Sequence, residues 1–204
     1  MYFIVKRLLD ILISIIAITL LLPLLVFISF TILITSGLPV FYLQERVGKD
    51  WIRFKIIKFR TMINNAEKIR PSISILNDER ITFIGKYLRK SKLDELPQLI
   101  NVLIGDMSLV GPRPELLRFV NCYPKEYCEI LKIKPGISDY ASIIFVNESK
   151  LLIESNDPES FYIKEVLPLK LDLCIKYLHE MSLVIDIKIL FNTARGILSA
   201  IKSF

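Results

Sequence analysis

The strongest feature of the hydropathy pattern lies near the N-terminus, where Ile11 to Ile34 (ILISIIAITLLLPLLVFISFTILI) carries no charge over 24 residues. As one straight helix it would measure about 36 Å, slightly more than the roughly 30 Å hydrocarbon core of a bilayer. It is too long for the apolar core of a secretory leader and lacks a small-x-small cleavage site, so it is expected to stay in lipid. Pro23 falls at its middle, where it removes one backbone hydrogen bond and kinks the helix. Each half is then about 18 Å long, enough to enter one leaflet and return. Lys6 and Arg7 precede the run; Arg46, Lys49, Arg53, Lys55, Lys58 and Arg60 follow it. Positive flanks mark the cytoplasmic side, and here both ends are marked. The residues favour a re-entrant helix-break-helix, with a kinked spanning helix as the open alternative. Ser14, Thr19, Ser29 and Thr31 are candidates to satisfy backbone groups freed by the proline.

Beyond Pro39 the pattern changes. Apolar and charged positions alternate, Val47-Gly48-Lys49-Asp50 predicts a turn, and Ile52 to Phe59 predicts a strand bearing Arg53, Lys55 and Lys58. That cationic row is either a solvated strand face or a wall facing phosphates. Asn64 to Arg70 predicts a short helix and Pro71 to Arg80 a polar loop. Ile81 to Lys90 carries a basic stripe ending in Arg89 and Lys90. Leu96, Leu99, Ile100, Leu103 and Ile104 then recur at helical spacing, with Pro97 in the first turn and Gly105 at the C-terminal end. Phe161 to Phe204 reads as helix broken near Leu167-Pro168. Its last part, with Lys188, Arg195 and Lys202 seven apart, is an interfacial amphipathic helix or a core helix with a basic outer edge.

Composition sharpens this picture. The 204 residues are 52% hydrophobic, with 27 Lys+Arg against 21 Asp+Glu and a net charge of +6. A basic, oily chain suits an anionic membrane surface better than nucleic acid, so no nucleic-acid partner is expected. Three cysteines (Cys122, Cys128, Cys174) form no C-x-x-C pair, which argues against a disulfide framework or a zinc site. His179 is the single histidine, on a Leu/Ile-rich helical segment, so Cys-His or Ser-His chemistry is not expected. The pattern as a whole predicts a mainly α protein with a small β element. Residues 1–37 form the membrane helix, and residues 38–204 a compact domain with interfacial amphipathic helices.

Two stretches carry candidate chemistry. In K-L-D-E-L-P-Q-L, Asp94 and Glu95 stand side by side at the start of the amphipathic helix. Ser91-x-x-Asp94 matches a capping box, and acidic residues are favoured there by about 0.3–1 kcal/mol, so capping and chemistry both fit. In G-P-R-P-E, Arg113 lies between Pro112 and Pro114. The prolines restrict the chain and reduce the entropy lost on fixing the guanidinium, which suits bidentate capture of phosphate; an ordinary proline-rich turn fits as well.

K-R-L-L-D at 6–10, the run broken by Pro23, Q-E-R-V-G at 44–48, F-K-I-I-K-F-R-T-M at 54–62, the block from Arg89 to Glu115 and K-P-G-I-S at 134–138 occur in order over nearly the whole chain. Together they resemble the bacterial sugar transferases, the monotopic polyprenyl-phosphate phosphoglycosyl transferases, in their smallest form. The resemblance implies an enzyme on the cytoplasmic face of the bacterial inner membrane. It would move a sugar phosphate from a UDP-sugar to undecaprenyl phosphate, releasing UMP, and so begin a surface glycan such as a lipopolysaccharide, capsule or glycoprotein glycan. It places the catalytic dyad on Asp94 and Glu95, Mg²⁺ at Asp94, and substrate-binding roles on Lys58, Arg60, Arg89, Pro112, Arg113 and Pro114. It also implies the re-entrant break at Pro23. A polyanionic donor requires such cations, since a bare carboxylate would be repelled. Two adjacent carboxylates also repel each other and need Mg²⁺ or Arg89 to stay ionised. Glu95 is expected to orient metal or acceptor, or to act as base.

Two departures stand out. Ser138 to Phe145 replaces the family's Gly-Trp-x-Gln-Val-type run, which leaves the donor sugar open, and Leu22 stands where a serine is usual before the proline. The rival readings are a lipid-linked glycosyltransferase releasing UDP and a non-catalytic membrane scaffold. Monomer and homodimer both remain open.

Overall fold

The structure is a computed structural model that describes residues 1–66, 78–145, 151, 155 and 157–202. The predicted helix at 64–70 and loop at 71–80 fall largely outside the described residues. Helix α1 (Tyr2–Ser36) is followed by strands β1 (Phe41–Val47) and β2 (Arg53–Phe59), then α2 (Phe83–Lys90), a 3₁₀ turn at Leu93–Glu95, α3 (Gln98–Ile104) and β3 (Ser108–Val110). Next come α4 (Leu117–Val120), α5 (Pro124–Ile130), β4 (Gly136–Ser138), α6 (Tyr140–Ile144) and α7 (Pro158–Phe161). A π turn at Tyr162–Val166 leads into α8 (Leu167–Glu180) and α9 (Leu183–Lys202).

Helix α1 does not unwind at Pro23: the chain stays α-helical across it, so the expected helix-break-helix is one helix with an internal proline. A proline removes a single donor from the ladder, and the remaining bonds carry the helix through. The neighbouring hydroxyls do not rescue the freed carbonyl. Thr19, Ser29 and Thr31 donate to the carbonyls four residues back, of Ile15, Leu25 and Phe27, while the Ser14 hydroxyl is buried without a partner. One face of α1, including Phe3, Leu12, Ile16, Leu20, Phe27 and Ile34, is exposed along the whole helix. The opposite face rests on the rest of the protein. Its C-terminal half (Leu24, Leu25, Ile28, Ile32) packs on Phe59 and Leu88, and Ala17 and Ile18 pack against the cluster around Val102, Met107 and Tyr177.

The strand predicted at Ile52 to Phe59 forms as β2, and it pairs with β1 in an antiparallel hairpin with Phe41 opposite Phe59 and Val47 opposite Arg53. A second, parallel pair joins Ser108 to Gly136 and Val110 to Ser138. The periodic leucines produce α3, closed by Gly105 at φ 100°, a backbone conformation glycine adopts without steric cost. The capping box does not form. Ser91 ends α2 instead, its hydroxyl donating to the Tyr87 and Leu88 carbonyls, because α2 runs up to Lys90 and offers those acceptors first.

The expected break at Leu167-Pro168 is also displaced. Pro168 sits in the first turn of α8, where no donor is needed. The helix ends at Met181, and Ser182 starts α9 by accepting from the Ile185 amide at 3.3 Å. His179 lies exposed on α8.

Candidate active site

Three segments meet at the dyad: β2 supplies Lys58, the 3₁₀ turn supplies Asp94 and Glu95, and the loop after β3 supplies Arg113. Lys92, at φ 58°, turns the chain sharply into Leu93–Glu95. Asn101 ties α3 to β2, accepting from the Ile57 amide at 3.0 Å and donating to the Lys55 carbonyl at 2.8 Å. That brace fixes the height of Lys58 against the dyad.

The Pro112–Pro114 loop is held on both sides. Gly111 N–H donates to Ser138 O at 3.1 Å and Gly136 N–H to Pro112 O at 2.9 Å. A Cβ on Gly136 would lie 2.1 Å from Gly111 N, so the two strands approach this closely only with glycine there. On the far side Arg46 donates to Pro114 O at 3.2 Å and to Glu115 Oε2 at 3.3 Å, while Tyr162 donates to Glu115 Oε1 at 2.7 Å. Arg113 therefore projects from a loop with little freedom, as the flanking prolines predict.

Electrostatics divide the two carboxylates. Glu95 accepts from Lys58 Nζ at 2.8 Å and from both terminal guanidinium nitrogens of Arg113, Nη2 and Nη1, the latter at 3.2 Å. Burial pushes the Glu95 carboxyl up, but Arg113 and Lys58 outweigh it and hold the group well below the usual carboxylate range. Glu95 in turn holds the Arg113 guanidinium firmly charged, while burial lowers Lys58. Asp94 is 8% exposed, and its Oδ1 has no hydrogen-bond partner. Burial and the adjacent Glu95 charge raise its pKa, with Lys58, Arg89 and Lys92 pulling the other way. The turn thus presents one committed anion and one carboxylate with an uncommitted oxygen, the kind of divergence that separates roles in a paired-carboxylate site.

The remaining predicted site residues divide the same way. Arg89 stands by the dyad: its Nε donates to Thr61 Oγ1 at 2.7 Å and its charge acts on Asp94. Arg60 is engaged elsewhere, donating to the carbonyls of Ser36 and Gly37 at 2.6 and 2.7 Å, where it closes the end of α1. Sequence reasoning missed Arg46, Glu115, Tyr162, Asn101 and Gln98. Gln98 is 1% exposed, one turn beyond Asp94, with Nε2 unpartnered. The available signal was the presence of Gln98 and Asn101, two amides three apart, in an otherwise apolar helix. Among the described residues no group of three or more His, Cys, Asp or Glu side chains gathers to cage a metal. Asp94 Oδ1 remains a free acceptor, which fits a cation held by one carboxylate together with a ligand's own oxygens.

A profile of the bacterial sugar transferase family matches residues 1–200, and the chain belongs to that family. It is 38% identical over 206 residues to the UDP-N-acetylgalactosamine-undecaprenyl-phosphate N-acetylgalactosaminephosphotransferase of Aeromonas hydrophila, covering 97% of this chain and 44% of that protein. It is 33% identical over 198 residues to the UDP-glucose:undecaprenyl-phosphate glucose-1-phosphate transferase of Escherichia coli K12, covering 92% and 39%. A third relative, the uncharacterized sugar transferase EpsL of Bacillus subtilis, is 36% identical over 177 residues, covering 85% and 78%. The chain thus spans less than half the length of the first two.

Proposed function

We propose that the protein is a phosphoglycosyl transferase that moves a sugar phosphate from a UDP-sugar to polyprenyl phosphate, with Asp94 as nucleophile. The observation that carries this reading is the buried, unpartnered Asp94 oxygen beside a Glu95 already committed to Lys58 and Arg113. An Asp94 oxygen attacks the phosphorus that bears the sugar. The bond from that phosphorus to the bridging oxygen breaks, and UMP leaves with the electron pair. An oxygen of polyprenyl phosphate then attacks the same phosphorus and releases the Asp94 carboxylate. Both named transferases among the relatives act between a UDP-sugar and undecaprenyl phosphate, which supports the substrate classes.

Arg113, Lys58 and Arg89 supply the positive charge that a pyrophosphate requires at a carboxylate nucleophile. Glu95, held low by two cations, is a poor proton acceptor; its role is to aim Arg113 and Lys58. Mg²⁺ is proposed at Asp94, where it would neutralise donor phosphate charge.

The same reading puts α1 in the cytoplasmic leaflet of the bacterial inner membrane as a re-entrant helix that turns at Pro23 by a proline kink, without unwinding. Its support is that Tyr2 and Lys6 at one end and Ser36 at the other bind the same polar body, while the outer face is apolar throughout. Val184, Ile187 and Phe191, exposed on α9 beside Lys188, suit the interface of that leaflet. Nucleotide analysis tests the reaction. UMP released from a UDP-sugar in the presence of polyprenyl phosphate supports it, UDP points to a glycosyltransferase, and inertness with a panel of UDP-sugars points to a scaffold. Labelling of single cysteines at both ends of α1 from one side only supports re-entry; labelling from opposite sides refutes it.

A further inference from the structure

We propose that Arg7 and Asp10, on the first turns of the apolar helix, are positioning residues for the active site. They would hold in register the two elements that carry the Asp94–Glu95 dyad and Arg113. Lys6 and Arg7 alone would be accounted for as flanking charges that mark membrane topology, but a carboxylate contributes little to that mark. Asp10 is 5% exposed, and both of its oxygens are used: Oδ1 accepts from the Leu109 amide at 3.2 Å and Oδ2 from the Ser108 hydroxyl at 2.7 Å. Those donors belong to β3, and three residues past its end stands Arg113. Arg7 donates from Nη1 to Val102 O at 2.6 Å and from Nη2 to Leu103 O at 3.0 Å. These carbonyls lie in the last turn of α3, where a cation also complements the helix dipole. The other end of α3 joins the dyad turn through Leu96 and Pro97.

Tyr2, Lys6, Arg7, Asp10 and Ser14 form a polar stripe on one face of α1. Tyr2 and Lys6 dock the stripe onto Asp186 of α9, at 2.9 and 2.8 Å. A short, rigid α3 gripped at one end and a β3 gripped along its length leave the Arg113–Glu95 fork dependent on where α1 sits. Misplacement of about 1 Å far from the reacting atoms can cost roughly a hundredfold in rate.

The activity arm of the test rests on the transferase reading above; a second arm does not. In the full-length protein in bilayer discs, Asp10→Ala and Arg7→Ala should lower kcat roughly 10–100-fold while KM for the UDP-sugar stays nearly constant. Asp10→Asn should recover most of the rate. Its Oδ1 still accepts from Leu109, and its amide donates to Ser108, whose hydroxyl already reaches Val110 O at 3.0 Å. Ser108→Ala, which removes one of the two bonds, should fall between. Hydrogen exchange of the peptide covering 107–113 should accelerate in Asp10→Ala with membrane flotation unchanged. If no UDP-sugar yields UMP even with the wild type, the reaction assignment fails, and exchange at Leu109 still decides the positioning claim. Unchanged exchange in Asp10→Ala overturns it. So do an unchanged kcat, a loss that follows membrane release, and an Asp10→Asn variant as impaired as the alanine.

Discussion

Asp94→Asn should inactivate the protein and also stabilise it. The wild-type carboxylate buries an oxygen with no partner next to a second anion, and both features penalise the ionised folded state. Asparagine keeps a polar oxygen in that place but carries no charge, so what it relieves is the cost of ionising the folded state, about 1.4 kcal/mol for each pH unit by which the folded pKa exceeds the unfolded one. For a chain of this size each such pH unit corresponds to about 3–6 °C in melting temperature. The sign with pH follows from the raised pKa. Below the unfolded value of 3.8 both states are protonated and the penalty is absent. As pH rises toward and past the folded value, the unfolded chain ionises more readily than the folded one, and wild-type stability falls. The asparagine variant escapes that loss, so its advantage should be absent near pH 3.5, grow with pH and level off. Thermal melts of both proteins in the same detergent from pH 3.5 to 8 measure it. An equal or lower melting temperature for the variant, or an offset that does not change with pH, would refute the reasoning.

Arg113→Lys keeps a charge but loses the two-pronged grip on Glu95, and kcat/KM for UMP release should fall about 10²–10³-fold; a change within threefold would remove Arg113 from the site. Lys58→Met withdraws a cation that lowers the pKa of both Asp94 and Glu95, so the acidic limb of the kcat/KM profile should move to higher pH. A stationary limb, or one moving lower, would contradict that. Asn101→Ala strands the Ile57 amide and the Lys55 carbonyl and should cost roughly 1–3 kcal/mol in a denaturant melt. Unchanged stability would mean that this brace carries no weight.

Elements with a strong local period were legible in the sequence: the apolar N-terminal run, the turn around Gly48 with the strand that follows it, and α3 with its closing glycine. The dyad and Arg113 were legible because adjacent carboxylates and a proline-flanked arginine are unusual in an oily, basic chain. What sequence reading missed depends on which neighbour reaches an atom first. Ser91 fits a capping box by spacing, yet the end of α2 already offers its hydroxyl two carbonyls. Arg60 carries the same charge as Lys58 two residues earlier, but it falls beyond the end of β2 and meets the carbonyls that close α1. Asp10 looks like a stray charge ahead of a lipid-bound run until β3, a hundred residues later, is laid against it. The break before α9 has no Pro or Gly to announce it, only the Ser182 hydroxyl at the new helix start.

The most direct test is intact-protein mass spectrometry after incubation with a UDP-sugar and no acceptor lipid. The account predicts a mass increase of one sugar phosphate, mapped to Asp94, accompanied by UMP and discharged when polyprenyl phosphate is added. An unmodified protein whose UMP release requires both substrates at once would contradict it.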